Sequence, residues 1–348
     1  MDRYIGIDVH AESCTFAIMS AAGKRVREAR IETNGEALVD FVKTIAGRKH
    51  LCIEEGTHAE WLYELLEPLV HEMLVVLPNK SQGAKSDSAD AWKRADELRR
   101  GSVPRTVFKA PGQLTALRAA NKVYVATQRD MVRTKTRLSA LYRSRGVQAS
   151  SQIYDPELRA NWLKLLPKAY RHQAQLLSVQ LDGLVDAHEQ AHQWLLEESK
   201  KVPAIRLVES APGIGSIRAA QIVATVISPH RFRTRRQFWS YCGLGIVTRS
   251  SSDWVREPDG KWARRAVPQT YGLNRNRQPM LKNVFKGAAQ TITRHMPRHP
   301  LALTYLASIE AGTKPNLAEL TVARRVAGAV LAIWKNKETY DPNRQRRN

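Results

Sequence analysis

The sequence predicts an α/β N-terminal region followed by a mostly helical, strongly basic remainder, and three observations point there. Short β-prone runs alternate with helical periodicity across the first hundred residues. Two long stretches then carry apolar residues in three- and four-residue steps. Charge is also lopsided: the 348 residues carry a formal net +22, and residues 201–348 hold 26 Lys and Arg against 8 Asp and Glu. A second excess runs from Arg105 to Arg145, where ten basic side chains are opposed only by Asp130. Basic stripes inside folded-looking sequence attract phosphate backbones through counterion release, so nucleic acid is the expected partner rather than a membrane surface. The length suits two or three domains, expected at 1–108, 109–200 and 201–348. No apolar run is long enough to span a bilayer and no signal-peptide pattern opens the chain, which reads as a soluble cytoplasmic protein. Cys14, Cys52 and Cys242 lack the spacing of a disulfide framework or a zinc site and read as buried hydrophobes.

Taken in order, Tyr4-Ile5-Gly6-Ile7-Asp8-Val9 is a strand buried on both faces, with Asp8 near its end. Residues 14–19, a turn at Gly23 and residues 26–33 complete an antiparallel meander. Asn34 caps a helix bearing Leu38, Phe41, Val42 and Ile45. Leu51-Cys52-Ile53-Glu54 is a fourth strand ending in a carboxylate, a helix spans 58–69, and residues 73–77 form a fifth strand closed by Pro78. The next helix carries Asp87 and Asp90. Three strands, helix, strand, helix, strand, helix is the order of the ribonuclease H fold, in which the ends of strands one and four meet.

Asp87 and Asp90, three residues apart on a helix, share a face and repel mildly. Alone, they suit a solvated helix start capped by Asp87. Joined by Asp8 and Glu54, they make four carboxylates converging with no compensating Lys or Arg, an arrangement that calls for metal ions, with Mg²⁺ expected. Glu55 rivals Glu54, because adjacent strand residues face opposite ways.

A proline-bearing connector at 104–111 leads to a long helix at 113–145, whose charge comes from Arg118, Lys122, Arg129, Arg133, Lys135 and Arg137. Residues 176–199 place Leu177, Leu181, Leu184, His188, Ala191 and Leu195 on a coiled-coil seam, where His188 reads as a register-setting polar residue. Pro212-Gly213-Ile214-Gly215 before an apolar helix resembles the turn of a helix-hairpin-helix, with Gly213 and Gly215 offering backbone amides to phosphate. A plain interhelical turn is the alternative. Arg235 and Arg236, then Lys282 and Lys286 on a helix at 280–294, add phosphate-binding charge. Composition assigns no chemistry to Ser250-Ser251-Ser252, which suits a loop. Residues 254–262 read as a β-hairpin around Pro258-Asp259-Gly260, and residues 317–334 as a last helix.

These residues together resemble the DEDD-type insertion-sequence transposases, a family that includes the pilin-gene invertase and the bridge-RNA-guided serine recombinases. The resemblance rests on Tyr4-Ile5-Gly6-Ile7-Asp8, Cys52-Ile53-Glu54, Lys85-Ser86-Asp87-Ser88-Ala89-Asp90-Ala91, Pro212-Gly213-Ile214-Gly215 and the segment from Phe238 to Leu244. It implies a RuvC-like N-terminal domain with Asp8, Glu54, Asp87 and Asp90 as its acidic, Mg²⁺-binding tetrad, a coiled-coil helical domain, and a C-terminal transposase domain. It further implies a serine nucleophile, which counting from Gly243-Leu244 places at Ser251. A glycine commonly follows that serine; here Ser252 and Asp253 stand there, so Ser250 and Ser252 stay open. DNA is the implied substrate, an element-encoded guide RNA an implied partner, and a dimer or tetramer in which one subunit's serine completes another's acidic site the implied assembly. The resemblance also implies a nucleoid-associated bacterial setting. Two other readings are a junction-resolvase-like nuclease without serine chemistry and a non-catalytic nucleic-acid-binding protein.

Overall fold

The computed structural model describes residues 1–348 apart from 79–85, 111, 113, 249–253, 265–269 and 342–348. The chain divides into two compact units, Met1–Gln113 and Leu114–Asn348.

In the first unit, β1 (Asp2–Val9), β2 (Ser13–Ser20) and β3 (Arg25–Glu32) form the expected antiparallel meander, turning at Gly23 with φ +81°. Helix α1 (Gly35–Thr44) is capped by Asn34, whose side chain accepts from the Glu36 amide at 2.9 Å. Then come β4 (Arg48–Glu54), α2 (Ala59–Leu66), β5 (Glu72–Val76) and α3 (Asp87–Arg99). The sheet order is β3-β2-β1-β4-β5, with β4 parallel to both β1 and β5.

Each sheet face has its own cover. Ile5, Ile7, Phe16, Ile18, Leu51 and Ile53 pack against Leu38, Phe41 and Val42 of α1 and Leu62 and Leu66 of α2. On the opposite face, Ala17 and Met19 meet Ala91, Trp92 and Ala95 of α3. Small residues dominate this second layer, so α3 sits close to the strands. The stretch read as a connector lies along β5 instead: Val107 donates its amide to the Val75 carbonyl at 2.7 Å, and Leu77 donates to Arg105 at 3.0 Å. Pairing with an open strand edge explains the difference, because β5 would otherwise leave these backbone groups unmatched. All three cysteines are buried and free, and burial pushes the Cys52 thiol up to about 12.

The second unit begins with α4 (Thr115–Arg143) and α5 (Arg159–Leu165), followed by α6 (Lys168–Lys200). The seam of α4 and α6 runs antiparallel: Leu117 and Leu195 share one cluster, whereas Leu138, Leu141 and Ala174 share another. Between them, His188 Nδ1 lies 3.1 Å from the Thr127 hydroxyl and its ring 4.7 Å from that of Tyr124. Helix α6 starts eight residues earlier than its apolar spacing suggested, directly after Pro167, whose fixed φ suits a helix entry.

Helices α7 (Pro203–Glu209), α8 (Ser216–Val226), α9 (Arg235–Tyr241), α10 (Pro279–His295), α11 (Pro300–Glu310) and α12 (Pro315–Asn336) build the largest core. Helix α12 supplies its densest buried stripe, including Val322, Val326, Val330 and Trp334. Two small ribbons interrupt the helices. β6 (Ile246–Thr248) pairs with β9 (Thr270–Leu273), and β7 (Trp254–Arg256) pairs with β8 (Trp262–Arg264) as the expected hairpin. The sequence does not reveal β6, β9, α5, α9 or α11; strands of three or four residues, and helices of seven such as α5 and α9, are too short to show a period. No helix among the described residues is long and apolar enough to cross a membrane.

Candidate metal centre and basic surfaces

β1 and β4 run in parallel register as far as Ile7 and Ile53, so Asp8 and Glu54 leave adjacent strand ends. Registered residues of parallel neighbours project to the same face, here the one on which Gly6 and Cys52 lie two residues earlier. Helix α3 covers that face. A Cβ built at Gly6 would stand 2.1 Å from the Ala91 carbonyl oxygen and 2.6 Å from the Ala95 nitrogen, so only glycine lets this helix backbone touch the sheet. Ser86, rather than Asp87, caps α3, its hydroxyl accepting from the Ala89 amide at 3.2 Å. Asp87 and Asp90 therefore occupy the first turn, where carboxylates suit the helix dipole.

Asp8 and Asp87 meet at His10. Its Nε2 lies 2.9 Å from Asp8 Oδ2 and 3.3 Å from Asp87 Oδ1. One ligand atom from each of the three lies within 4.8 Å of the others, the one group of this size among the described acidic, histidine and cysteine side chains. Two carboxylate oxygens and an imidazole nitrogen, with side chains 25%, 47% and 53% exposed for Asp8, Asp87 and His10, fit a partly hydrated divalent cation. Asp90 is half-buried one step further along α3.

Glu54 is held differently, and this corrects the expectation of carboxylates without a compensating cation. Arg94 of α3, 4% exposed, pairs with Glu54 through Nη2 and donates from Nη1 to Glu97 Oε2 at 2.6 Å. Asp87, Asp90, Arg94 and Glu97 follow one another in steps of three, four and three, so one helix face carries both the acids and their counter-charge. Glu55 turns the other way and binds Lys109 Nζ at 2.9 Å. A further tie orients α3 from β3: Glu28 accepts from Ser88 Oγ at 2.8 Å and from Trp92 Nε1 at 2.6 Å, bonds that hold its carboxyl below the usual range. His10 and Arg94 were missed from sequence. Arg94 was signalled by its spacing from Asp87 and Asp90; His10, just past the strand, had only its nearness to Asp8.

Ser250, Ser251 and Ser252 lie outside the described residues, as does Lys85. The segment that leads into β6 is firmly seated. Leu244 and Gly245 donate to the Trp239 carbonyl at 2.8 and 3.0 Å, Arg324 Nε donates to the Leu244 carbonyl at 2.7 Å, and Asn274 donates to that of Gly245 at 3.0 Å.

The predicted phosphate contacts are distributed over several surfaces. Lys122, Arg129 and Arg133 are exposed on α4 with Arg118 half-buried, and their spacing of four, seven and four keeps them on one face. Arg133 also reaches Asp130 at 3.2 Å. Arg235 and Arg236 are exposed at the start of α9. On α10, Lys286 faces Glu319 at 3.4 Å, whereas burial, reinforced by Arg277 and Lys286, lowers the affinity of the Lys282 amine for its proton.

Gly213 has a packing task. It sits at φ +70° with its carbonyl accepting from Arg218 Nη1 at 2.7 Å, and an added Cβ would lie 2.5 Å from the Ala288 carbonyl oxygen on α10. Gly215 is exposed with open space around it. Gly213→Ala is therefore expected to destabilise the helical unit by about 2 kcal/mol, and Gly215→Ala to change it little. Thermal melts of the two variants check this; equal melting temperatures would refute the packing role.

Comparison with known proteins agrees with this layout. A family model described as a transposase, of the DEDD type, matches residues 5–144, and one described as the transposase IS116/IS110/IS902 family matches residues 205–301. The chain is also 24% identical over 366 aligned residues to y4qE, a candidate transposase of Sinorhizobium fredii, covering 95% of this chain and 88% of that protein. An α/β unit bearing the carboxylates, followed by a basic helical one, with the two matches in that order, makes up a DEDD-type transposase. The chain belongs to the IS110 family of insertion-sequence transposases.

Proposed function

We propose that this transposase excises and inserts its own mobile element by a Mg²⁺-dependent reaction in which Ser251 is the nucleophile and Asp8, Glu54, Asp87 and Asp90 form the metal-binding tetrad. The observation that carries the reading is the approach of Asp8 and Asp87 to a common point beside the end of β4, on a sheet whose order is compatible with a ribonuclease H-like domain. A divalent ion there neutralises negative charge developing on the phosphodiester oxygens. The chain's own groups do the rest. Ser251 Oγ gives up its proton as it forms a bond to phosphorus, the bond from phosphorus to a deoxyribose oxygen breaks, that oxygen takes up a proton in exchange, and a phosphoserine ester holds the strand. Helices α4 and α6 act as a coiled coil joining subunits, the α7–α8 turn and the basic faces of α4, α9 and α10 bind phosphates, and an element-encoded RNA selects the target. The serine of one subunit would complete the acidic site of another in a dimer or tetramer.

The test incubates the full chain with DNA carrying the element's ends, its guide RNA and Mg²⁺. A covalent protein–DNA adduct mapping to Ser251, and abolished by EDTA, is expected. Cleavage to free ends without an adduct would instead favour the resolvase-like nuclease, and no DNA product under any metal would favour a binding protein.

A further inference from the structure

Residues 10–12 turn the chain from β1 into β2, and the backbone of this turn is fixed from both sides. The His10 amide donates to the Ser13 carbonyl at 3.1 Å, and the Thr33 amide donates to the Glu12 carbonyl at 3.0 Å. The Thr33 hydroxyl donates to the His10 carbonyl at 2.8 Å. Thr33 directly follows β3, so the end of one strand braces the turn between the other two. The His10 side chain therefore starts from a set position rather than from a free loop. Two residues on from Asp8, it keeps to the same side of the chain.

One imidazole atom, Nε2, faces both carboxylates, at 2.9 Å from Asp8 Oδ2 and 3.3 Å from Asp87 Oδ1. Neighbouring ligands of an octahedral ion with bonds of about 2.1 Å stand about 3.0 Å apart, so both distances suit adjacent corners of one coordination shell. The donor set then mixes oxygen with nitrogen. Mg²⁺ takes oxygen ligands and gives up its water reluctantly, so an imidazole adds little to its binding. First-row transition ions accept imidazole nitrogen beside carboxylate oxygen, and Mn²⁺ among them also suits the carboxylates and water that Mg²⁺ uses. An imidazolium paired with the two aspartates would satisfy the same distances, but side chains this exposed gain little from such pairing.

We propose that His10 is a ligand of the divalent ion through Nε2, a nitrogen added to the four carboxylates of the transposase reading, and that this nitrogen makes the centre prefer Mn²⁺ to Mg²⁺. The proposal rests on that reading for Asp8 and Asp87 and goes beyond it in both the ligand and the ion. Its test measures metal binding rather than strand transfer, so the two fail separately.

The full chain is titrated with Mn²⁺ and followed by electron paramagnetic resonance, with Mg²⁺ as competitor and electron spin echo modulation reading any nitrogen bound to the ion. Wild type is expected to show the modulation of a coordinated imidazole, and displacing half of its Mn²⁺ should take an excess of Mg²⁺ of about tenfold or more. His10→Ala should abolish the modulation and weaken Mn²⁺ about tenfold, while Mg²⁺ affinity stays within about twofold and the melting temperature in EDTA is unchanged. His10→Asp, which puts oxygen in the nitrogen's place, should strengthen Mg²⁺ and narrow the preference. Asp8→Asn tells the two readings apart. Mn²⁺ that depends on Asp8 yet shows no nitrogen modulation, or that binds His10→Ala as tightly as wild type, overturns the role of His10 and leaves the carboxylates standing. Mn²⁺ binding indifferent to Asp8→Asn overturns the carboxylate centre and this proposal with it.

Discussion

Asp8→Asn is expected to reduce strand transfer about a thousandfold, equivalent to about 4 kcal/mol of transition-state stabilisation, while leaving the fold intact. Asp8 is positioned by the β1 backbone, and its carboxylate approaches His10 and Asp87 rather than a buried cation. Neutralising it relieves repulsion with Asp87, so the melting temperature should hold or rise slightly. Glu54→Gln should behave differently. It removes one of the two carboxylates that pair with a buried arginine, Glu97 remaining as the other; losing a hydrogen bond to a charged group costs about 1.5–3 kcal/mol, so stability and activity should fall together. The pair of variants separates a role in metal binding alone from one joined to scaffolding. Mn²⁺ titration followed by electron paramagnetic resonance, beside melts and strand-transfer assays, reads both. An Asp8→Asn protein that recombines at wild-type rate would remove the carboxylate from the mechanism.

The contrast between Asp8 and Glu54 also marks what the sequence made legible. Strand and helix order were readable because Ile5, Ile7, Phe16 and Ile53 belong to a strongly apolar layer and Asn34 is an unambiguous cap. Asp8 and Asp87 were readable as partners because β1 must lie at the centre of that order, beside α3. Arg94 was harder to see. Its spacing placed it on the acidic face, yet a lone arginine in Asp-Ala-Trp-Lys-Arg-Ala-Asp-Glu looks like ordinary helix-surface charge until packing buries it. His10 was hidden for another reason: it lies beyond the last residue of β1, where periodicity no longer says which way a side chain faces. Gly213 shows the converse case: beside the phosphate-binding turn that its spacing suggests, it makes a contact with α10 some 75 residues away, which no local pattern records.

Gly6→Ala is expected to damage both stability and activity from a single methyl group. The added carbon would lie 2.1 Å from the Ala91 oxygen, 2.6 Å from the Ala95 nitrogen and 2.8 Å from Arg94 Cβ. Non-bonded atoms need about 3.5 Å or more, so the mismatch exceeds about 1 Å. None of those three atoms is the tip of a flexible side chain, so relief requires α3 to retreat as a body from β1. That retreat would pull Arg94 from Glu54, loosen Ser88 and Trp92 from Glu28, and carry Asp87 away from Asp8. Overpacking of this kind costs about 1–3 kcal/mol, and a displacement of about 1 Å at reacting groups costs about a hundredfold in rate. Gly56→Ala is the control, since nothing lies within 4 Å of the same position there. If Gly6→Ala melts and recombines like wild type, α3 does not rest on β1 as described, and the convergence of Asp8 with Asp87 loses its structural basis.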